Sequence, residues 1–364
     1  MNFILNFDKL IDIRLLFNKF NHKLLIAMKK LAMGIDIGGT NTAFGLVDEE
    51  GTVFCESVIS TEKYKKFDDY KAYVKALCEA MHALIGSVSF EFELIGIGIG
   101  APNANYHKGT IETPANLWKF RDNEPNPDES RRMFNFVDDI KASFPNVMVA
   151  ITNDANAAAI GEGVFGSAKG MKDYAVITLG TGLGSGIVSN GEMIYGHDGF
   201  AGEYGHIMVD SRATGRDCGC GRKGCLEAYA SATGIKRTAF ELMAKMSNDS
   251  ELREIPYSKF EAVMLSTAAD KGDAIAKEAF RFTGEVLGKA LADLVATTSP
   301  EAIILFGGLA KAGKHIFEPT KWYMEEHMLA TFKNKVKLLP SGIQGKNAAI
   351  LGSSALIWQK VINK

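Results

Sequence analysis

From Leu31 onward, apolar runs cut by glycine turns organise the chain. Residues 31–47 read as a strand, a Gly-Gly-Thr turn and a second strand. An Asp-Glu-Glu-Gly turn at 48–51 leads to a third strand, TVFCESVIS. Phe67 to Ile85 carries apolar residues at helical spacing (Tyr70, Val74, Leu77, Met81, Leu84), and LIGIGIG at 94–100 predicts a buried strand. Pro102, Pro114, Pro125 and Pro127 make 101–130 mostly loop. A short helix from Phe134 to Phe144 and a strand, VMVAIT, then end at Asn153-Asp154. A second strand-rich block, YAVITLGTGLGSGIVSNGEMIYG, precedes a mostly helical stretch from Gly234 to Thr298. The strand AIILFGG (302–308), a helix near 314–330, a strand near 335–339 and a closing helix at 347–361 complete the pattern.

The chain repeats itself. IDIGGTNTAFGLV (35–47) and ITLGTGLGSGIV (177–188) share one plan of strand, Gly-Thr turn and strand, with one residue of slippage. Two such units predict a duplicated α/β fold, two lobes with a cleft between them. The expected lobes are 28–150, joined by the closing helix 347–364, and 151–346, which carries a cysteine loop at 206–225.

Composition narrows the function. Of 364 residues, 46% are hydrophobic and 23% charged, which excludes a disordered chain. With 41 basic and 43 acidic residues, the charge draws the protein to neither nucleic acid nor an anionic membrane. No apolar run approaches the ~18 residues of a membrane span. Five cysteines, three of them between Cys218 and Cys225, do not make a disulfide framework and fit a reducing, cytoplasmic setting. Cys55 and Cys78 read as buried thiols. Residues 1–27 lack the clean apolar core and cleavage site of a signal peptide. They read as an extension before Met28, either an amphipathic helix or sequence upstream of the biological start.

The glycine turns suggest anion binding. In DIGGTNT (36–42), Gly38 and Gly39 allow a tight bend and bring backbone N–H groups close to an anion, with Thr40 and Thr42 adding hydroxyls. Asp36 suits such a site if Mg²⁺ stands between it and phosphates. LGTGLGSG (179–186) offers the same equipment from the second lobe. Neither is a Walker A loop or a dinucleotide fingerprint. Gly307-Gly308 ends a third apolar strand, where a base and ribose can approach the backbone. Taken singly, each is also what an ordinary hairpin or strand-to-helix turn looks like.

GEYGH (202–206) and RDCGCGRKGCLE (216–227) hold His206, Cys218, Cys220 and Cys225, a closed tetrahedral zinc set. Such a site is structural, and it would hold Glu203 and Glu227 in place.

DIGGTNT, Asn153-Asp154, GEYGH and CGCGRKGCLE occur in one order over some two hundred residues. Together they resemble the ROK family of repressors and sugar kinases, bacterial glucokinases in particular. The resemblance implies the duplicated actin-like and hexokinase-like (ribonuclease H-like) two-lobe ATPase fold, ATP and Mg²⁺, structural Zn²⁺, a sugar substrate and a homodimer. It implies Asp154 as catalytic base and Asn153, Glu203, His206 and Glu227 as sugar contacts, His206 also touching zinc. The phosphate loops correspond to Asp36, Gly38, Gly39, Thr40, Asn41 and Thr42, and to Gly180, Thr181 and Gly182. Gly307 and Gly308 correspond to the adenosine side. Asn116 in ANLW matches a family Asn-Leu segment. Asn103 stands where the family loop often reads Pro-Gly, a departure that bears on which sugar fits. The expected activity is ATP-dependent phosphorylation of a hexose, glucose first. N-acetylglucosamine, N-acetylmannosamine or fructose are alternatives, and polyphosphate is an alternative donor. The family's repressors carry a DNA-binding helix-turn-helix ahead of the first phosphate loop. Only 35 residues precede Asp36 here, so a sugar-responsive regulator ranks below a kinase.

Overall fold

The computed structural model describes residues 28–66, 69–113, 117–118, 133–343, 345 and 347–362. The extension 1–27, Phe67 and Asn116 lie outside the described residues. The first sheet is built from β1 (Lys29–Ile37), β2 (Asn41–Val47), β3 (Val53–Ser60), β4 (Phe92–Gly100) and β8 (Met148–Thr152), in the order β3-β2-β1-β4-β8. Helix α1 (Tyr70–Gly86) precedes β4. The loop expected at 101–130 contains β5 (Ala104–Asn105) and β6 (Thr110–Glu112), paired with β7 (Met133–Phe134). Helix α2 (Phe136–Ser143) leads into β8, and α3 (Asp154–Phe165) leaves it.

The second sheet repeats the first. Strands β9 (Tyr174–Leu179), β10 (Leu183–Ser189), β11 (Glu192–Met193), β12 (Ala302–Phe306) and β13 (Lys337–Pro340) run β11-β10-β9-β12-β13. In both sheets the first strand pairs antiparallel with the second and parallel with the fourth. The internal repeat thus falls on β1–β2 and β9–β10, as expected of a duplicated α/β fold. Helices α4 (Glu227–Ala230), α5 (Ala232–Lys245), α6 (Ala262–Asp270) and α7 (Ala274–Thr298) lie between β11 and β12. Helices α8 (Lys314–His327) and α9 (Ala348–Ile362) follow β12 and β13. Among the described residues, no helix is long and apolar enough to cross a membrane.

The alternation of Ile and Gly in β4 has a packing cause. Side chains alternate faces along a strand. Leu31, Met33, Ile35, Ile97 and Ile99 turn to one face of the first sheet and pack with Tyr73, Leu77 and Met81 of α1. The opposite face presents Ala32, Gly34, Gly96 and Gly98, and α9 lies on it. A Cβ on Gly34 would stand 2.0 Å from the Ile350 carbonyl oxygen, and one on Gly98 would stand 2.0 Å from that of Ser353. Helix α3 meets α9 in the same way, since a Cβ on Gly161 would reach 2.8 Å from Gly352 Cα. Ala157, Ile160, Leu356 and Trp358 of this pair share one apolar cluster with Val176 and Ile304 of the second sheet. Two small-residue helices therefore fill the space between the sheets.

A Gly98→Ala substitution puts a methyl group against main-chain atoms that have no rotamer to escape into. It is expected to lower stability by about 3 kcal/mol or more. Gly86→Ala, which faces open space, should change it by less than about 0.5 kcal/mol. Chemical denaturation of both variants checks the contrast.

Candidate active site

Asp36 lies near the end of β1, on the face of Ala32 and Gly34, so it continues past the sheet toward the cleft. Asp154 is the first residue of α3, and a Cβ on Gly100 would lie 3.8 Å from its Cα. The helix is capped by Asn153, whose Oδ1 accepts from the Ala155 N–H at 2.8 Å. Asp154 Oδ1 accepts from the same N–H, also at 2.8 Å. Asn153 and Asp154 thus share the first free N–H of the helix, and Asp154 lines the first and third cavities of the cleft.

Three cavities meet there. The first, about 450 Å³, is lined by Asn103, Asn153, Asp154, Glu203, His206 and Glu227, with the Gly180–Gly182 turn and Gly307. The second, about 560 Å³, lies beyond Gly307 and Gly308 and is walled by Lys311, Ser341 and Ile343. The third, about 180 Å³, has Asp36 and Asp154 in its wall and shares Phe306 with both others.

The acids here perturb one another. Burial, then the charge of Asp154, pushes the Asp36 carboxyl up from the usual 3.8 to about 6. Asp154 is exposed at the cleft surface yet closely surrounded by protein, and desolvation raises it above the ordinary carboxylate range. Burial also raises Glu203; the charges of Asp154 and Glu227 add to this while His206 opposes it.

His206 links two groups. Its Nδ1 lies 3.6 Å from Cys218 Sγ, and its Nε2 lies 4.0 Å from Glu203 Oε2. The ligand atoms of His206, Cys218, Cys220 and Cys225 all fall within 4.8 Å of one another, and Cys220 and Cys225 sulfurs are 3.7 Å apart. A tetrahedral zinc ion, with Zn–S near 2.3 Å and Zn–N near 2.0 Å, requires ligand separations of about 3.5–3.8 Å. The donor set fits zinc in chemistry, and the His206–Cys218 and Cys220–Cys225 separations of 3.6 and 3.7 Å fall in that range.

The cysteine loop is anchored from behind. Buried Arg216 donates to Glu241 at 2.7 Å and to the Ala228 and Gly234 carbonyls at 3.1 and 3.2 Å, and stacks on Tyr229. Glu227 ties the loop to the second glycine turn. Its Oε2 accepts from the Leu183 N–H at 2.9 Å, and a Cβ on Gly182 would come within 2.3 Å of that oxygen. Gly182 is therefore glycine because a carboxylate occupies the place of its side chain.

Some expected residues stand elsewhere. Thr42, expected to offer its hydroxyl to a phosphate, is fully buried, with its Oγ1 2.8 Å from Thr61 Oγ1 and 2.7 Å from the Tyr73 hydroxyl. The β-strand period turns it into the core, so it supports the turn from beneath. The Gly38 N–H is spent on the Asn41 carbonyl at 3.0 Å, and Glu62 N–H bonds to the Thr40 carbonyl at 3.0 Å. Gly38, Gly39, Thr40 and Asn41 form a tight turn outside the walls of the three cavities. Asn103, in the left-handed region at φ 54°, donates to the Thr113 carbonyl at 3.0 Å. Cys78 is buried as expected, and Cys55 is partly so.

Asn156 and Phe200 are among the wall residues that carry no clear signal in the sequence. Asn156 is buried, and its Oδ1 finds no hydrogen-bond partner among the described residues. Its one signal was an amide interrupting the alanine run two positions after Asp154. Phe200 lines the same cavity at 38% exposure, and carried no signal beyond an exposed aromatic.

Comparisons with known proteins bear on the family and the fold. The ROK family model matches residues 32–360. A glucokinase from Halalkalibacterium halodurans is 33% identical over 90% of this chain and 95% of its own. The xylose repressor of Bacillus spizizenii is 29% identical over 91% of this chain and 78% of its own. The crystal structure of a ROK family glucokinase from Streptomyces griseus, in complex with glucose and AMPPNP, aligns with a TM-score of 0.71. That match has 30% identity and covers 90% of this chain and 98% of the other. The duplicated sheets, the acids at their junction and a match over nearly the whole length of a glucokinase have one reading: the chain belongs to the ROK family.

Proposed function

We propose that this protein is an ATP-dependent hexose kinase that phosphorylates a sugar hydroxyl, with glucose the first substrate and glucose 6-phosphate the product. The observation that carries the reading is Asp154, shared between the acid-lined cavity and the small cavity that leads toward the Gly307 side. A base at that junction touches a polyol on one side and faces an incoming phosphoryl group on the other. The glucokinase relatives and the glucose and AMPPNP complex support the same assignment.

Asp154 would take the proton of the attacking hydroxyl as its oxygen bonds to phosphorus, and its raised carboxyl makes it the stronger base. Asn103, Asn153, Glu203, His206 and Glu227 would orient the sugar, each carboxylate accepting hydroxyl hydrogens. The second glycine turn, Gly180 to Gly182, would receive phosphate oxygens. The turn from Gly38 to Asn41 would close on them from the first lobe, with Thr42 supporting it, and Gly307 and Gly308 would flank adenosine. Asp36 would hold Mg²⁺, which supplies neutralisation of phosphate charge. The Cys218, Cys220, Cys225 and His206 set would hold a structural zinc ion. Asn116 stays in the reading as a sugar contact, and a homodimer as its assembly.

The test is ADP release with Mg²⁺ and ATP across hexoses and N-acetylhexosamines. Glucose should exceed the others; preferred turnover of an N-acetylhexosamine would move the substrate within the family. A sugar-induced thermal shift without turnover on any sugar would mark a regulator instead. Asp154→Asn should lower kcat on the order of 10²–10⁴-fold while sugar still shifts the melting temperature. Near-normal turnover in that variant removes the base assignment.

Elemental analysis should find about one zinc per chain, and chelation should loosen the 206–227 loop to proteolysis. A metal-free protein with equal activity and protease resistance would discard the zinc site.

Asp36 gives a pH signature. Its folded carboxyl holds its proton up to about 6, above the usual 3.8, so its contribution to stability falls as pH rises through that window. The deficit is complete above pH 6. Without Mg²⁺ or nucleotide, Asp36→Asn should stabilise the protein at pH 8 by about 2–3 kcal/mol and by little below about pH 4. Denaturant titrations at the two pH values measure the difference.

A further inference from the structure

Glu162 lies further along the helix that begins at Asp154, and its side chain is fully buried. Oε2 accepts from the Ser167 N–H at 2.7 Å and from the Gly342 N–H at 3.1 Å, and Oε1 takes the Ser341 hydroxyl. Its main-chain carbonyl accepts from Gly166 and Ala168 at 3.1 and 3.0 Å. Three donors converge on the carboxylate, an arrangement that suits a group with acceptors only. Two glycines make room. A Cβ on Gly166 would lie 2.0 Å from Glu162 Oε2, and one on Gly342 would lie 2.5 Å from the Ser167 nitrogen.

The residues held this way form a wall of the cavity of about 560 Å³ beyond Gly307. Ser341 Oγ accepts from the Ile343 N–H at 3.1 Å, so the contact to Glu162 extends to the next wall residue. Ile343 in turn packs on α3, its Cδ1 3.0 Å from where a Cβ on Gly161 would stand. One helix thus starts at the acid of the first cavity and, about two turns on, holds residues that wall the second.

We propose that Glu162 is a positioning residue for the nucleotide. It holds Ser341–Ile343 as a preformed wall for the base and ribose of an adenine nucleotide, and fixes that wall relative to Asp154 through α3. The inference rests on the kinase reading, which makes this cavity the nucleotide side. A preformed wall spares the ordering cost of building it at each binding event. Loss of the clamp should therefore appear in nucleotide affinity ahead of sugar affinity.

Glu162→Gln keeps the shape but replaces the charged acceptor with a neutral amide whose NH₂ turns the Ser341 hydroxyl hydrogen away to the Ile343 carbonyl. In the full chain, ADP binding by calorimetry should weaken on the order of tenfold, with KM for ATP rising in parallel. KM for glucose and the glucose-induced thermal shift should stay within about twofold of wild type. Ser341→Ala, which removes one donor from a surface loop, should move ADP binding in the same direction by a smaller factor; it decides the matter if Glu162→Gln does not fold. Unchanged ADP affinity in the variants overturns the proposal, as does an equal loss of ADP and glucose affinity, the mark of general loosening. Wild-type protein that binds no adenine nucleotide overturns both this proposal and the kinase reading. Wild-type protein that binds ADP yet phosphorylates no sugar sinks the kinase reading alone, and the ADP comparison still judges the clamp.

Discussion

The close approach of main chains between the sheets governs this molecule. Helix α9 lies on the first sheet with carbonyl oxygens where the side chains of Gly34 and Gly98 would otherwise stand. Helix α3 crosses α9 at Gly161 and Gly352. Contacts of this kind cannot adjust by rotamer changes, so they set sheet and helix positions more sharply than large side chains would. Asp36 leaves the sheet on that glycine face, and Asp154 begins the helix that packs there. The placement of Asp36 and Asp154 is thus tied to points where main chains meet directly.

Much of this was legible in the sequence because duplication and strand period leave direct traces. The two Gly-Thr units fell on equivalent strand pairs, and the alternation of Ile and Gly at 94–100 became a two-faced strand with one face for α1 and one for α9. The cysteine spacing also translated, since a C-x-C-x₄-C loop with interleaved glycines closes on itself. The less legible parts concern which way a polar side chain turns. Thr42 reads as a phosphate donor by its neighbours, yet the strand period sends it inward to Thr61 and Tyr73. Asn153 and Asp154 share the first free N–H of the helix while Asp154 also lines the cleft, an arrangement that adjacent Asn and Asp do not announce. Asn156 was hidden in an alanine run because its significance depends on a loop far later in the chain, at Gly202 and Glu203.

Among the described residues, the first and third cavities gather acids with no lysine or arginine in their walls. Asp36, Asp154, Glu203 and Glu227 face the first and third cavities, and His206 is the basic side chain among them. Burial raises Asp36, Asp154 and Glu203, and repulsion from neighbouring acids adds to the rise in Asp36 and Glu203. Such a site is destabilising when empty and is relieved by ligands that bring hydroxyl hydrogens or positive charge. A polyol and a divalent cation each provide that relief. The cost of assembling like charges thus becomes a preference for the ligands proposed here.

The second glycine turn is held by residues on the C-terminal side of the cysteine loop. Glu227 accepts the Leu183 N–H, Ala232 donates to the Gly180 carbonyl at 2.9 Å, and the Thr233 hydroxyl donates to the Thr181 carbonyl at 2.7 Å. Cys225 stands two residues before Glu227, and Cys218 Sγ lies 3.7 Å from the Glu227 carboxylate. A metal that fixes the cysteines would fix Glu227, and Glu227 fixes the turn proposed to receive phosphate. His206 extends the same support to Glu203 across its imidazole. Glu203, His206 and Glu227, proposed as sugar contacts, and the turn proposed to receive phosphate therefore share one base in the second lobe, while Asn103, Asp36 and the first turn belong to the other. Reaction requires the two sets to meet, so relative motion of the lobes becomes the variable that binding controls.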